Sequence, residues 1–387
     1  MTVTRKRLIA DWHYPTRIHF GPGRVAELPR VCRSVGMHRP LMVTDAELAE
    51  IAFVGETVVQ CERASLSTQV FSRIQSNPLD QNVEQGREVF RQGRHDGIIA
   101  LGGGSAMDAG KAIALLSHQP AGLWEYSGRW HTISRNTIAP VVAVPTTSGT
   151  GSEVGRAAVI TDTRTNVKAI ILHPNLMPAA VVADPELTVG LSPRLTAATG
   201  MDALAHCLEA YCADFFHPMS DGIAMEGIRY VQRWLPVAVQ DGSRMTARAH
   251  MMAAATLGAV AFQKGLGAIH ALSHPLGAVY NTHHGLANAV LMPYVMEYNR
   301  PAIEEKLQRL SRVLGLEPYG FGAVLDWILE LRAAVGIPHT LREAGIPDTD
   351  LASLARMASQ DPCAEENPVP VEYETLLSLY RHACRGG

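Results

Sequence analysis

The chain has 387 residues, of which 47% are hydrophobic and 18% charged, with a formal net charge of −3. A single hydrophobic core rarely organises that length, so two domains are expected, and a charge this close to neutral offers no basic face to nucleic acid or to an anionic membrane. No apolar run reaches spanning length. The opening MTVTRKRLIADWHYP has basic residues without a long apolar core and does not read as a signal peptide, so the expectation is a cytoplasmic protein with neither nucleic acid nor membrane as a partner. Six cysteines, Cys32, Cys61, Cys207, Cys212, Cys363 and Cys384, are scattered without CxxC spacing. That argues against a disulfide framework or a thiolate zinc site, and for buried free thiols.

The first predicted strand, RIHF, leads into Gly21-Pro22-Gly23-Arg24-Val25-Ala26, which satisfies G-x-G-x-x-A and is followed downstream by Asp45. Pro22 has no N–H to offer a phosphate and no full βαβ unit precedes the next strand, so this reads as a tight turn. PLMVTD (40–45), a helix-like segment, STQVFSRI, a polar helix over 80–94, DGIIALGGGS, a helix from Ser105 to about Ser117 and APVVAVPTTSGTGSE then follow. Strands alternating with helices imply a largely parallel sheet with crossover connections. Gly102-Gly103-Gly104-Ser105 stands between a buried strand and a helix. Glycines let the backbone approach a phosphate, and the helix start offers unpaired N–H groups and positive dipole density. This half reads as a nucleotide-binding α/β domain.

After VVADPELTVGLSPRL the pattern turns alanine- and leucine-rich with helical periodicity, from about Leu191 through LTAATGMDALAHCLEAYCA, SDGIAMEGIRYVQRWL and RMTARAHMMAAATLGAV to the carboxyl end. Pro193 stands near the start of the first of these helices, where proline is tolerated. The boundary is placed near residue 188, giving domains 1–188 and 189–387. There is no internal repeat and no low-complexity tract.

Four of the sixteen histidines fall between His270 and His284. Asp202 and His206 are spaced i, i+4, as are His270 and His274, so each pair shares one helix face. A lone histidine on an alanine-rich helix is more often a hydrogen-bonded core residue than a ligand. Two such pairs together with His283-His284-Gly285 make the metal reading the stronger one. One Asp and three His form an N₃O set suited to a first-row divalent ion, with room for a substrate oxygen. Pro275 and Gly277 are expected to interrupt the helix after His274, folding the chain back so that His284 approaches His270. Spacing alone leaves open which three of His206, His270, His274, His283 and His284 are ligands.

The blocks LGGGSAMDAGKAIAL, PTTSGTGSEV, DPELTVGLSPRLTAATGMDALAHCLEAY and GLGAIHALSHPLGAVYNTHHGLANAVLMPYVMEYN, with the closing NPVPVEYETLLSLYRHAC, resemble in order the signatures of the iron-containing (group III) alcohol dehydrogenase family, in the dehydroquinate synthase-like superfamily. The resemblance runs from about residue 14 to the end. It implies an α/β plus all-α fold, with an N-terminal Rossmann-like NAD-binding domain, a helical metal-binding catalytic domain and a catalytic cleft between them. It implies Asp202, His206, His270 and His284 as metal ligands, with His274 in the proton-relay position and His283 a neighbour. Gly103, Gly104 and Ser105 would hold the diphosphate, and Asn77, Asp108, Thr146, Thr147, Thr150 and Lys168 join the cofactor-binding set. Asp45 matches an acidic residue facing the adenosine ribose. A carboxylate accepts hydrogen bonds from a 2′-hydroxyl and repels a 2′-phosphate, which favours NAD(H) over NADP(H). Fe²⁺ is the family's namesake ion, Zn²⁺ accepts the same ligands, and homodimers are common.

The expected activity is hydride transfer between the nicotinamide and a short primary alcohol or its aldehyde. In AFQKGLGAIH, Gln263 and Lys264 precede the first histidine of the second pair. A Lys264 facing the site would favour an acidic substrate, as in a semialdehyde reductase or hydroxyacid dehydrogenase of the 4-hydroxybutyrate type. A Lys264 at a helix end, on the surface or in a subunit contact, would be structural. The complete Asp and His set counts against a metal-free maleylacetate reductase. The lack of a basic cluster counts against a cyclising lyase like dehydroquinate synthase, and the intact glycine run against a non-catalytic binding protein.

Overall fold

The computed structural model describes residues 16–165 and 167–386, so the opening segment MTVTRKRLIADWHYP lies outside the described residues. Runs of aliphatic and β-branched residues between Gly, Pro and Asp form the strands: β1 Arg17–Phe20, β2 Pro40–Asp45, β3 Gln69–Ile74, β4 Gly97–Gly102, β5 Val141–Pro145, β6 Ala157–Asp162, β7 Val167–Leu172 and β8 Ala180–Ala183. Between them stand α1 Leu28–Ser34, α2 Ala46–Ala49, α3 Ala52–Arg63, α4 Asp80–Gln92 and α5 Gly104–Leu116. The remainder is helical: α6 Pro193–Cys212, α7 Pro218–Gln240, α8 Met245–Ala261, α9 Ala268–Tyr280, α10 His284–Leu314, α11 Phe321–Ala334, α12 Leu351–Ala358, α13 Pro362–Glu365 and α14 Tyr373–Arg385. By contact the described residues fall into two compact units. One runs to Thr147 and resumes over Gly151–Val189; the other takes Ser148–Thr150 and the residues from Gly190 on.

Six strands form one parallel sheet in the order β1-β8-β5-β4-β2-β3. Strands β4, β5 and β8 are buried along their whole length, as parallel strands covered on both faces must be. Alternation along each strand feeds two cores. Leu41, Val43, Ile98 and Ala100 pack with Ile113 on one face, while Met42, Ile99, Leu101 and Val142 pack with Leu28 and Val31 on the other. The sheet holds β3 and β4 on opposite sides of β2, so the strand order reverses there and a crevice opens at the carboxyl ends of β2 and β4. The antiparallel ribbon β6-β7 lies outside the strands read from the sequence; AAVITD follows a glycine-rich turn, VKAIIL follows a polar one, and the pair breaks the alternation of strand with helix.

Gly21-Pro22-Gly23 is the tight turn expected of it. Gly23 is left-handed at φ 74°, and Asp184, fully buried, accepts Gly23 N–H at 3.2 Å, Val25 N–H at 2.9 Å and Glu186 N–H at 3.0 Å.

The expected break after His274 is corrected by the structure. α9 continues through Pro275 and Gly277 and ends at Asn281, which is left-handed at φ 52°. Pro275 removes only the N–H that would reach the Ala271 carbonyl, and burial of Ala271, Leu272 and Leu276 offsets that loss. The fold-back comes instead from residues 281–283, and α10 begins at His284. Among the described residues no single helix is long and apolar enough to cross a membrane; the apolar pair Met245–Lys264 and Ala268–Tyr280 is bent by 111°.

Asp184→Ala leaves three backbone N–H groups without their carboxylate acceptor. It is expected to lower stability by about 3 kcal/mol, read as a shift of the urea unfolding midpoint; an unchanged midpoint would remove Asp184 from the account of this turn.

Candidate functional site

α6 starts with Ser192 accepting Leu195 N–H at 3.2 Å and Pro193 in its first turn, and is buried throughout from Thr196 to Cys212. A helix buried all round needs small residues where others cross it. A Cβ on Gly285 of α10 would overlap the Ala198 carbonyl oxygen and lie 2.8 Å from Asp202 Cβ, and one on Gly258 of α8 would lie 3.0 Å from His206 Cβ. These glycines bring the first residue of α10 and one face of α8 onto the turn of α6 that carries Asp202 and His206.

The result is a cluster in which Asp202, His206, His270 and His284 each offer one ligand-capable atom, all within 4.8 Å of one another. His284 Nε2 lies 3.7 Å from Asp202 Oδ1, and the His206 and His270 rings stack at 4.8 Å and 27°. Asn288, fully buried one turn beyond His284, places Nδ2 2.8 Å from Asp202 Oδ1, 3.1 Å from His284 Nε2 and 3.3 Å from His270 Nε2. One amide NH₂ has two protons for three acceptor atoms, while Asn288 Oδ1 is buried with no hydrogen-bond partner among the described residues. Burial pushes the His206 imidazole down to about 4, so it stands neutral, the ligand form. Burial also pulls His270 down, but the charge and hydrogen bond of Glu209 outweigh it and the net shift is upward. Convergent oxygen and imidazole lone pairs with too few protons to satisfy them fit a divalent cation, and an N₃O set suits iron or zinc.

His274 Nδ1 bonds Asp361 Oδ2 at 2.7 Å, and its ring stacks on His284 at 5.4 Å and 11°. Asp361 also accepts Cys363 N–H at 2.9 Å. Burial pushes its carboxyl up, but the hydrogen bond and charge of His274 prevail and hold it below the usual range. His283 precedes α10 as an exposed residue outside the four-residue cluster.

Lys264 ends a short helix and is structural, as the second expectation has it, but it is buried rather than on the surface. Its Nζ donates to the Tyr211 carbonyl at 3.1 Å, and it pairs with Asp221. Lys306 joins it, donating to the Tyr211, Cys212 and Ala213 carbonyls at 3.0, 3.0 and 2.7 Å. The last carbonyls of α6 lack intrahelical donors, and the two ammonium groups supply them at the negative end of the helix dipole. Gln263 donates to the Val260 carbonyl at 2.8 Å.

In the sheet unit, Gly102 adopts φ +147°, and a Cβ there would meet Ala106 Cβ at 2.7 Å. Thr146 N–H donates to the Gly102 carbonyl at 3.0 Å, and Thr147 packs at Gly103, 3.3 Å from where a Cβ would stand. α5 begins at Gly104-Ser105 with no side-chain cap on its N-terminus, so a glycine cradle faces a helix start with N–H groups available for a diphosphate. At the adjacent strand end Asp45 Oδ1 accepts Leu48 N–H at 2.7 Å, and Oδ2 lies 3.7 Å from the place of a Gly102 Cβ. Lys168 Nζ donates to Asn77 Oδ1 at 2.5 Å, with Asn77 left-handed at φ 55°. Asp108 stands apart from the other expected cofactor contacts. It accepts Ser152 Oγ–H at 2.5 Å and Val159 N–H at 3.0 Å and pairs with Lys111 at 3.2 Å, which commits it to bracing α5 against β6. Thr150 belongs with the helical unit.

Sequence reasoning passed over Glu209, Asn288 and Asp361. The first two were within reach, since Glu209 is i+7 from Asp202 and Asn288 is i+4 from His284. Asp361 lies 87 residues from His274 with no periodic link.

A family described as iron-containing alcohol dehydrogenase matches residues 15–185, and the C-terminal part of the Fe-containing alcohol dehydrogenase family matches residues 196–384. The chain is 37% identical over 382 residues to a 1,3-propanediol dehydrogenase of Citrobacter freundii, covering 96% of this chain and 98% of that one. It is 38% identical over 368 residues to a 4-hydroxybutyrate dehydrogenase of Cupriavidus necator, covering 92% and 95%. Among solved structures it resembles sulfoacetaldehyde reductase from Bifidobacterium kashiwanohense in complex with NAD+, with a TM-score of 0.89 and 28% identity over 98% of this chain and 100% of that one.

Gly285→Ala would force the start of α10 away from the Ala198 carbonyl. The expected outcome is a folded protein retaining roughly tenfold less tightly bound divalent metal, measured by elemental analysis after dialysis; full retention would show that α10 can shift without moving His284.

Proposed function

The chain belongs to the iron-containing alcohol dehydrogenase family, and on that premise we propose that Asp202, His206, His270 and His284 hold its ion, that Gly103, Gly104 and Ser105 hold the diphosphate of NAD(H), and that the substrate is a neutral short primary alcohol or the corresponding aldehyde. It is an NAD(H)-linked, metal-dependent alcohol dehydrogenase or aldehyde reductase. The observation that carries the site assignment is the convergence of three acceptor atoms on the two amide protons of Asn288. When bound, the Fe²⁺ ion, or Zn²⁺ in its place, supplies Lewis-acid polarisation of the substrate oxygen and the nicotinamide supplies or accepts the hydride.

The residues of the chain do the rest. Burial keeps His206 neutral, so with a divalent ion held there the single Asp202 carboxylate would leave the site net positive and suited to an alcohol oxygen. Oxidation of an alcohol releases a proton. With Nδ1 of His274 directed to Asp361, Nε2 is the atom that takes that proton in oxidation and returns it in reduction. Asp361 fixes that tautomer. Asp45 disfavours a 2′-phosphate, and Asn77 with Lys168, Thr146, Thr147 and Thr150 completes the cofactor set. Residues 1–188 serve as the NAD-binding domain and 189–387 as the metal-binding catalytic domain.

The substrate class follows from Lys264. Its ammonium is neutralised by Asp221 and the end of α6, so it offers no counter-charge to a carboxylated substrate. That supports a neutral alcohol, as in the name of the 1,3-propanediol dehydrogenase relative, over a hydroxy acid, as in that of the 4-hydroxybutyrate dehydrogenase. Six buried, unpaired cysteines suit the reducing cytoplasm, and a homodimer or larger homo-oligomer is the assembly the family resemblance favours.

Fe²⁺-loaded protein should oxidise NADH at least about tenfold more efficiently in kcat/KM with neutral short aldehydes than with carboxylated ones of equal length, a ratio that corresponds to about 1.4 kcal/mol. The reverse order would move the assignment to a semialdehyde reductase. His274→Ala should keep its metal and lose about 10²- to 10⁴-fold in turnover; unchanged turnover would reject the proton role.

A further inference from the structure

Glu209 lies on α6 one turn past His206, 7% exposed, and does two things at once. Its Oε1 accepts Ile269 N–H at 2.7 Å, and its Oε2 is hydrogen-bonded to His270 Nδ1. A carboxylate oxygen only accepts, so the proton of the neutral imidazole is on Nδ1 and the Nε2 lone pair points inward, where it lies 3.3 Å from Asn288 Nδ2. The opposite tautomer would present an N–H to the cluster and could not ligate.

The same carboxylate caps a helix that has no cap of its own. The N-cap of α9 is Gly267, with no side-chain hydrogen bond, and the N–H groups around it end on side chains from elsewhere. Leu266 N–H donates to Glu366 Oε2 at 3.0 Å, Ala268 N–H to Asn367 Oδ1 at 3.0 Å, and Ile269 N–H to Glu209. The packing leaves no tolerance at this turn. A Cβ on Gly267 would lie 2.8 Å from Asn367 Oδ1 and 3.0 Å from Glu209 Oε1. Capping therefore fixes the height and rotation of the first turn of α9, and the second oxygen fixes the ring of the residue that follows.

We propose that Glu209 is a positioning residue that selects Nε2 of His270 as its metal-binding atom while anchoring the first turn of α9. The proposal rests on the assignment of His270 to the metal cluster. Partners of this kind to a ligating histidine hold its tautomer and raise its basicity, and their loss costs 10- to 100-fold in metal affinity.

The discriminating variant is Glu209→Gln, which keeps length and volume but has one acceptor oxygen for two N–H groups. If the amide oxygen takes Ile269 N–H, the amide NH₂ faces Nδ1 and drives the His270 proton onto Nε2. Zn²⁺ affinity would be measured by competition with a chromophoric chelator on the full-length protein, with NADH binding by fluorescence and the unfolding midpoint of the metal-free form as controls. The expected result is 10- to 100-fold weaker Zn²⁺ binding with both controls unchanged, and no further loss when Glu209→Gln is added to His270→Ala. Affinity within about threefold of wild type, or a loss that merely tracks a lowered midpoint, would overturn the proposal. Asp202→Asn run in parallel separates the two readings. If it too leaves Zn²⁺ affinity intact, the cluster assignment itself has failed; if it weakens binding and Glu209→Gln does not, only the role of Glu209 has. Should Glu209→Gln not fold, Gly267→Ala presses on Oε1 instead, and lowered Zn²⁺ affinity supports the proposal while unchanged affinity overturns it.

Discussion

The helical unit depends on how closely other helices can approach α6. From Thr196 to Cys212 this helix is buried on every side, so each neighbour must cross it at a place where side chains are nearly absent. Gly285, Gly258 and Gly200 mark those places. A Cβ at Gly258 would stand 3.2 Å from the Ala203 carbonyl, and one at Gly200 3.0 Å from Met251 Cε. Close approach of backbones at Gly285 and Gly258 sets the height and rotation at which Asp202 and His206 on α6 meet the helices around them.

Burying α6 has a polar consequence that the surrounding residues answer. Its terminal carbonyls are met by Lys264 and Lys306, and the ammonium of Lys264 is matched by Asp221. The start of α9, equally buried, is met by Glu209, Asn367 and Glu366. At the cluster itself the acceptor atoms outnumber the amide protons that Asn288 offers them. An imbalance of this kind suits a cation better than a satisfied polar core does.

The sheet unit builds its site by a different route. Reversal of strand order about β2 opens a crevice at the carboxyl ends of β2 and β4, and the residue types there suit it. Gly102 turns the chain at φ +147° with no Cβ to strike Ala106, α5 begins without a side-chain cap, and Asp45 closes the neighbouring strand end. Backbone N–H groups suit an anion and a carboxylate suits a ribose, so an arrangement of this kind needs few long side chains.

Local periodicity and turn chemistry were legible in the sequence. Short apolar runs between turn residues marked β2 and β4, i, i+4 spacing paired Asp202 with His206 and His270 with His274, and the triple glycine announced its turn, since each of these is set by residues within a few positions of one another. The antiparallel ribbon escaped because it breaks the alternation of strand with helix on which the reading of this half rests. Pro275 misled because burial of the residues around it outweighs one lost hydrogen bond. Lys264 stayed ambiguous because its partners, Asp221 and the Tyr211 carbonyl, lie 43 and 53 residues away. The sequence by itself determined the elements and the candidate donors. Which donors converge, which tautomer Glu209 and Asp361 impose, and where the one ambiguous lysine spends its charge were decided only by tertiary packing, because each is a contact between helices whose approach is governed by space and unpaired backbone groups, neither of which is written in local spacing.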